Sequence, residues 1–521
     1  MFGSIIWPSA VTLGYLLASI PALLAAWYGI VRTHRIWRMR RLGGRRAFNV
    51  TPNLVSIWRV FSKLAQAQAE DRLYGYYVWL FNKPPPGSQS IVEFEIPPFN
   101  RFFLTRDPDH IKTILTSKFT DFGKGPIFHR MWKPFLGDGI FNTDGKLWHG
   151  SRSLIRPMFM KDRVSDLAKF ERGVQAFMAQ LPGSGQTVEL MGLLYRATLD
   201  ITTEFLLGHS AGSLENPELD FIKAFDEVQK TQMRIAIMYP FDVFIGRKEY
   251  YSGIKTLEAF IMPFVEKTLT LTTEELEEIG KLDQDFTFLH GLASFTREPN
   301  VIRDQIMNVL LAGRDTTAGT LSWAFYELAA YPEKWARLRE EVLSTVGSHK
   351  APTYDDLKNL RYLRYTLNET LRLYPAVPYN SRTALQDTTL AGGPGKPDIA
   401  ILKGDAVAYS PYLMQRRREL YPPVTAEFAD PLIFSPERWY NWQPKAWEFV
   451  PFNGGPRICV GQNFAMTEMA YFMVRILQRY ERLEYRGDWA AQLHKADIVA
   501  RPSLGVPVAL FEAGEGGGGH A

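Results

Sequence analysis

Cys459 is the only thiol in a chain of 521 residues, and its neighbours decide what it can do. It sits in Phe452-Asn453-Gly454-Gly455-Pro456-Arg457-Ile458-Cys459-Val460-Gly461, a glycine-bent loop that runs into the apolar stretch Gln462–Arg479. A thiol presented at the start of a helix meets unpaired backbone N–H groups and the positive end of the macrodipole, and both favour thiolate. A thiolate is a soft metal ligand, whereas a lone cysteine without such surroundings is ordinarily an inert core residue. A single Cys excludes an internal disulfide, a cysteine-rich zinc module and a cysteine-held iron–sulfur cluster.

Four further groups could do chemistry. Ala312-Gly313-Arg314-Asp315-Thr316-Thr317 sets an acid beside an alcohol, a pair able to pass protons, and its small residues leave room against the backbone. Glu369 and Arg372 stand three apart, one face of one helix, with Pro436-Glu437-Arg438 downstream. Trp148 and Arg152 stand four apart, which alone describes ordinary helix surface. Gly208-His209-Ser210-Ala211-Gly212 has the spacing of a serine-hydrolase nucleophile elbow, which requires a strand before it and a helix after it. Leu194–Leu207 reads as helix, and the stretch from Ser213 to Pro217 reads as loop. The nine histidines show no zinc-protease spacing, and no phosphate-binding glycine loop occurs.

These groups need elements to hold them. Apolar periodicity predicts a long helix from a cap at Asn300 to Leu328, stopped at Tyr331-Pro332 and carrying Asp315 and Thr316 midway. A second helix is expected over Leu357–Leu373, ending before Pro375. Alternation is clearest over Ile399–Ala408, so strands are the minority and the class is mainly α with small sheets, an α+β fold.

In this order and spacing the motifs resemble those of the cytochrome P-450 superfamily, over about residues 100–485. The narrower likeness is to fungal membrane-bound alkane and fatty-acid hydroxylases. It rests on Phe122-Gly123-Lys124-Gly125, on Phe135-Leu136-Gly137-Asp138-Gly139-Ile140-Phe141, on Ala312–Ala318 and on Val450–Cys459. The resemblance implies the P-450 fold and a haem b whose iron Cys459 ligates. Phe452 would lie at the haem loop, with Trp148, Arg152, Arg382 and Arg457 beside the haem propionates. Asp315 and Thr316 become the catalytic pair, and Glu369, Arg372 and Arg438 a structural triad. It further implies insertion of one atom of O2 into a C–H bond, with electrons from NADPH through a separate reductase and with cytochrome b5 as a further partner. An apolar chain is the expected substrate, walled by Phe119, Phe122, Phe128, Trp132, Phe135 and Phe141, with Val309, Leu310, Ala312 and Ala376–Tyr379 on the haem side. The same chemistry on a fungal specialised metabolite, a hydrolase at Ser210 and a haem sensor or carrier are the alternatives.

Charge places the protein. The net charge of +5 is uneven: nothing before Glu70 is acidic, residues 1–69 carry +9, and the remainder is mildly acidic. Bulk nucleic-acid binding therefore has no support. Ile5–Val31 is apolar and long enough for one transmembrane helix. Seven arginines between Arg32 and Arg46 follow it, which predicts a single-pass anchor in the endoplasmic-reticulum bilayer and a cytosolic body. The expected layout is an anchor over 5–31, a basic linker over 32–50, a catalytic domain over 51–513 and a flexible tail over 514–521.

Overall fold

The computed structural model describes residues 10–95, 101–160, 167–239, 241–282 and 286–514. The chain resolves into two compact units. The smaller comprises residues 1–62, 79–123 and 381–408, and the larger comprises 63–78, 124–380 and 409–521.

The smaller unit is built on a sheet of six short strands. In spatial order these are Phe48–Asn49, Ile91–Phe94, Phe102–Thr105, Ala406–Tyr409, Asn380–Ala384 and Phe122–Gly123. Ile91–Phe94 and Phe102–Thr105 pair antiparallel with Val92 opposite Leu104. The alternating stretch expected over Ile399–Ala408 is two strands in different sheets. Ile399–Ile401 pairs with Thr388–Leu390, and Ala406–Tyr409 joins the larger sheet after a turn at Gly404, whose φ of 92° is left-handed. Ala10–Arg41 forms one helix of 32 residues, with Leu23, Trp27 and Ile30 exposed. Among the described residues no helix is long and apolar enough to cross a membrane. The first residues of the expected anchor, 5–9, and positions 515–521 of the expected tail lie outside the described residues. The basic end of the helix and the stretch after it are pinned to this unit: Arg38 and Met39 in the last turn meet Asp387 and pack on Ala400 and Leu402, and Arg46 beyond the helix pairs with Glu93 and Glu95.

The larger unit is helical. Its axis is the long helix Pro299–Ala330, buried along nearly its whole length. Glu298 is the N-cap and Pro299 opens the first turn, so the start expected at Asn300 moves back by two residues. The helix packs on Leu190–Leu207, and Asp220–Met238 pairs with Lys248–Leu269. Two glycines make close crossings possible. A Cβ on Gly313 would lie 2.8 Å from Thr202 Oγ1, and one on Gly319 would lie 2.7 Å from the Ala500 carbonyl oxygen. The helix expected over Leu357–Leu373 is two: Tyr354–Asn359, closed by a capping box between Thr353 and Asp356, and Arg361–Leu373, with Leu360 between them. The expected helix Gln462–Arg479 forms as read, with a buried face running from Phe464 to Leu477.

Candidate active site

The loop before Gln462 takes its shape from three residues. Asn453 and Gly455 adopt φ of 63° and 61°, and a Cβ on Gly454 would lie 2.4 Å from the Trp447 ring. The Cys459 amide then donates to the Phe452 carbonyl at 2.9 Å, and Asn453 Nδ2 donates to the Arg457 carbonyl at 3.1 Å. The turn so closed brings Cys459 out at the mouth of the helix, where a small molecule can reach the side chain. Protein nevertheless crowds the thiol at longer range. Burial pushes its pKa up, against the opposing pull of the Gly461 N–H and the Arg152 charge. Metal coordination, which deprotonates a thiol outright, would complete the step to thiolate.

Helix Gly145–Ile155 sets Arg152 and the Trp148 ring beside this loop, which carries a second cation, Arg457. Arg152 Nη1 donates to the Ile458 carbonyl at 2.9 Å, and its guanidinium lies 5.9 Å from the centre of the buried Trp148 ring. Arg457 sits over the same ring at 4.7 Å. It is ion-paired to Asp144 at 2.6 Å and bonded to the Thr143 carbonyl at 2.9 Å. Asp144 also accepts the Lys124 and Gly125 amides at 2.8 and 2.7 Å, so the Phe-Gly-Lys-Gly stretch is tied to the arginine. A single soft donor flanked by two guanidiniums fits a thiolate-ligated macrocycle carrying acidic side groups. Arg382 belongs to the smaller unit, where it is buried on Asn380–Ala384 and its Nη1 donates to the Ser381 carbonyl at 2.8 Å.

The triad is assembled. Glu369 and Arg372 meet at 2.8 Å, Glu369 and Arg438 at 2.9 Å, and all three are buried. The Ser435 amide and Trp439 Nε1 fill the remaining carboxylate positions, each at 2.9 Å. Arg372 reaches the Gln415 carbonyl at 3.2 Å, and Gln415 Oε1 accepts the Val450 amide at 2.9 Å. The ion network thus grips the segment that enters the cysteine loop.

On the long helix Asp315 and Thr316 project about 100° apart and engage different partners. The Thr316 hydroxyl donates to the Ala312 carbonyl at 2.7 Å. Asp315 is buried, 3.4 Å from Arg314 Nη1, and burial raises its pKa despite that cation. Gly313, expected to leave room beside the backbone, is spent on the Thr202 crossing.

A family model described as cytochrome P450 matches residues 52–505. The chain belongs to the cytochrome P450 family. It is therefore an oxidoreductase that incorporates one atom of oxygen and uses a haem-iron thiolate cofactor. It is 47% identical over 434 residues to cytochrome P450 monooxygenase pvhE of Talaromyces variabilis, covering 79% of this chain and 80% of that protein. Cytochrome P450 52A6 of Candida tropicalis is 40% identical over 73% of this chain and 75% of its own length. Cytochrome P450 52A13 of Debaryomyces hansenii is 38% identical over 74% and 76%. The crystal structure of the cytochrome P450DA heme domain superposes with a TM-score of 0.67 at 22% identity, over 84% of this chain and 92% of that one, a likeness of fold.

In this P450 the Ser210 motif is no nucleophile elbow. Helix Leu190–Leu207 precedes it in place of a strand, Gly208 is that helix's left-handed cap with φ of 75°, and Ser210 Oγ accepts the Gly212 amide at 3.1 Å. The aromatic walls divide: Trp132 and Phe135 are core, the latter against Phe225, whereas Phe141 is exposed. Three residues of consequence escaped the sequence reading. Asp144 is the acid that holds Arg457, and Arg314 bridges Asp315 to the surface Asp226. Glu468 lies fully buried on the cysteine helix, accepting from Thr317 Oγ1 at 3.2 Å. A lone acid inside Phe-Ala-Met-Thr-Glu-Met-Ala-Tyr was the signal for the last.

Proposed function

We propose that this cytochrome P450 hydroxylates a long aliphatic chain, an alkane or a fatty acid, at or near its terminal carbon. Electrons come from NADPH through a separate membrane-bound reductase, with cytochrome b5 as a further donor. The observation that carries the chemistry is the reachable Cys459 thiol flanked by Arg152 and Arg457. Haem bound there supplies dioxygen activation, to which a thiolate ligand contributes electron density. The chain's own residues do the rest. Arg152 and Arg457, both against the Trp148 ring, would neutralise the acidic side groups of the haem, and Arg382 and Phe452 are the further residues that would hold it. Burial raises the Asp315 pKa, which suits its carboxyl to proton donation, and the Thr316 hydroxyl would pass the proton on. Val309, Leu310, Ala312 and Ala376–Tyr379 give an apolar wall, on which about 0.8 kcal/mol per CH2 supports a preference for longer chains. Terminal attack needs an end-on channel, because a terminal C–H bond is stronger than its neighbours. The apolar stretch within Ile5–Val31 and the arginines after it support an anchor in the endoplasmic reticulum with the body in the cytosol.

Cys459→Ser abolishes the strongly red-shifted Soret band of the ferrous–CO complex, and an unchanged band sinks the site. With reductase supplied, alkanes and fatty acids of graded length are offered and the hydroxyl is located by mass spectrometry. Turnover only of polycyclic or aromatic compounds sinks the substrate.

A further inference from the structure

Six rings that can be oxidised, or that sit between such rings, form an unbroken file in the larger unit. Tyr412 stacks on His494 with centres 4.2 Å apart, and His494 on Trp323 at 5.6 Å. Trp323 lies flat against Tyr374 at 3.9 Å and meets Tyr326 edge-on at 5.5 Å. Tyr326 stacks on Trp489 at 5.1 Å. Trp489 lines an open surface cleft of about 480 Å³, beside the last residues of the long helix. Midway along the file, Trp323 stands two turns from Thr316 on nearly the same helix face, about 10 Å along the axis.

Packing alone does not account for these ring types. Elsewhere in the larger unit the cluster of Phe159, Phe205, Phe288 and Phe464 fills its space with phenylalanine. The file instead carries polar atoms at a cost: Trp323 Nε1 and both His494 ring nitrogens are buried without a hydrogen-bond partner. Phe at position 323 would pack without that penalty. Tyr374 also has a proton acceptor, since its hydroxyl donates to the buried Glu327, whose carboxyl burial pushes to about 7. The field along the file has a direction. Arg416 lies 4.0 Å over Tyr412 and 5.3 Å from Tyr374, which disfavours positive charge at that end. The carbonyl end of the long helix borders Trp489, which favours it there.

We propose that Trp323, Tyr326 and Trp489 form an escape route that carries oxidising equivalents from the oxygen site to the surface when no substrate C–H bond is in place. The proposal rests on the reading of Ala312–Thr316 as that site. One electron leaves Trp323 for the oxidant derived from dioxygen. Trp489 refills Trp323 through Tyr326 and is left as the radical cation, and a small thiol or ascorbate-type reductant in the cleft returns the electron and is itself oxidised. Where Tyr374 is the donor, its phenolic proton moves to Glu327 and comes back on re-reduction. No bond of the chain is broken, and each electron consumed inside is matched by one taken from the reductant.

The test treats the full-length haem-loaded protein, its thiolate CO band verified, with hydrogen peroxide in the absence of substrate. Radicals are read by freeze-quench electron paramagnetic resonance and oxidised residues by peptide mapping. Wild type is expected to concentrate oxidation at Trp489, and ascorbate to suppress it. Trp323→Phe and the milder Tyr326→Phe should each lower Trp489 oxidation severalfold and shift damage to residues around the long helix and Cys459. Equal oxidation of Trp489 in both variants would mean direct attack from solution and overturn the route, as would an unoxidised Trp489 in wild type. Absence of the thiolate band in wild type overturns the site reading itself, and the route with it.

Discussion

Replacing Glu468 by glutamine removes a weakness that grows with pH. The carboxyl is fully buried between the cysteine helix and the long helix, with Thr317 as its one partner and Oε1 unsatisfied. Burial pushes its pKa up to about 8, and the Thr317 hydrogen bond opposes this. An unfolded glutamate titrates near 4.3, so between the two values the native state holds the proton more often than the unfolded state. Stability therefore falls as pH rises through this window, at up to about 1.4 kcal/mol per pH unit, and the accumulated loss is on the order of 5 kcal/mol. That is a large share of the roughly 5–15 kcal/mol that holds a domain together. Glutamine keeps the shape and the acceptor for Thr317 but cannot ionise. Urea midpoints of both proteins, followed by tryptophan fluorescence from about pH 5 to about pH 8, should diverge steadily in favour of Glu468→Gln by a few kcal/mol. A difference that stays constant over this range would mean that the carboxylate is ionised in the folded protein, and would refute the argument.

Glu369→Gln strands two buried guanidiniums and should cost on the order of 3–5 kcal/mol in urea unfolding, with little holoprotein recovered; a loss under about 1 kcal/mol would contradict it. The arginines hold the Glu369 carboxyl below its ordinary range, so its contribution is complete above that range and is lost only as pH falls through the depressed value, which an acid titration of wild type and variant can follow. Gly313→Ala drives a methyl group against Thr202 and should cost about 1–3 kcal/mol, most of it recovered in the double variant with Thr202→Ala; no recovery would show that the crossing is not the constraint. Asp315→Asn and Thr316→Ala should keep the CO band while lowering the product formed per NADPH consumed, and unchanged coupling in both would remove the pair from the mechanism.

What the sequence determined by itself is local. The glycine pattern from Phe452 to Gly461 already specifies a bent loop before a helix, because φ above zero and a Cβ-free approach to Trp447 are demands that only particular residues meet. Gln462–Arg479 and the body of Pro299–Ala330 were legible from apolar periodicity alone. Glu369 and Arg372 were legible as neighbours because three residues bring two side chains to one helix face. Their third partner, Arg438, lies far along the chain, and only packing could bring its guanidinium to the same carboxylate. The same holds for the ionisation of the site. Spacing promised a thiolate at Cys459, yet desolvation, set by residues distant in sequence, raised its pKa. The resemblance offered Arg457 for a propionate without showing the Asp144 carboxylate that tertiary structure set against it, and Gly313 read as space until Thr202 filled it. Periodicity and spacing are fixed by bonds between near neighbours, whereas burial, dielectric and charge partners are properties of the folded whole, so the tertiary structure decided them.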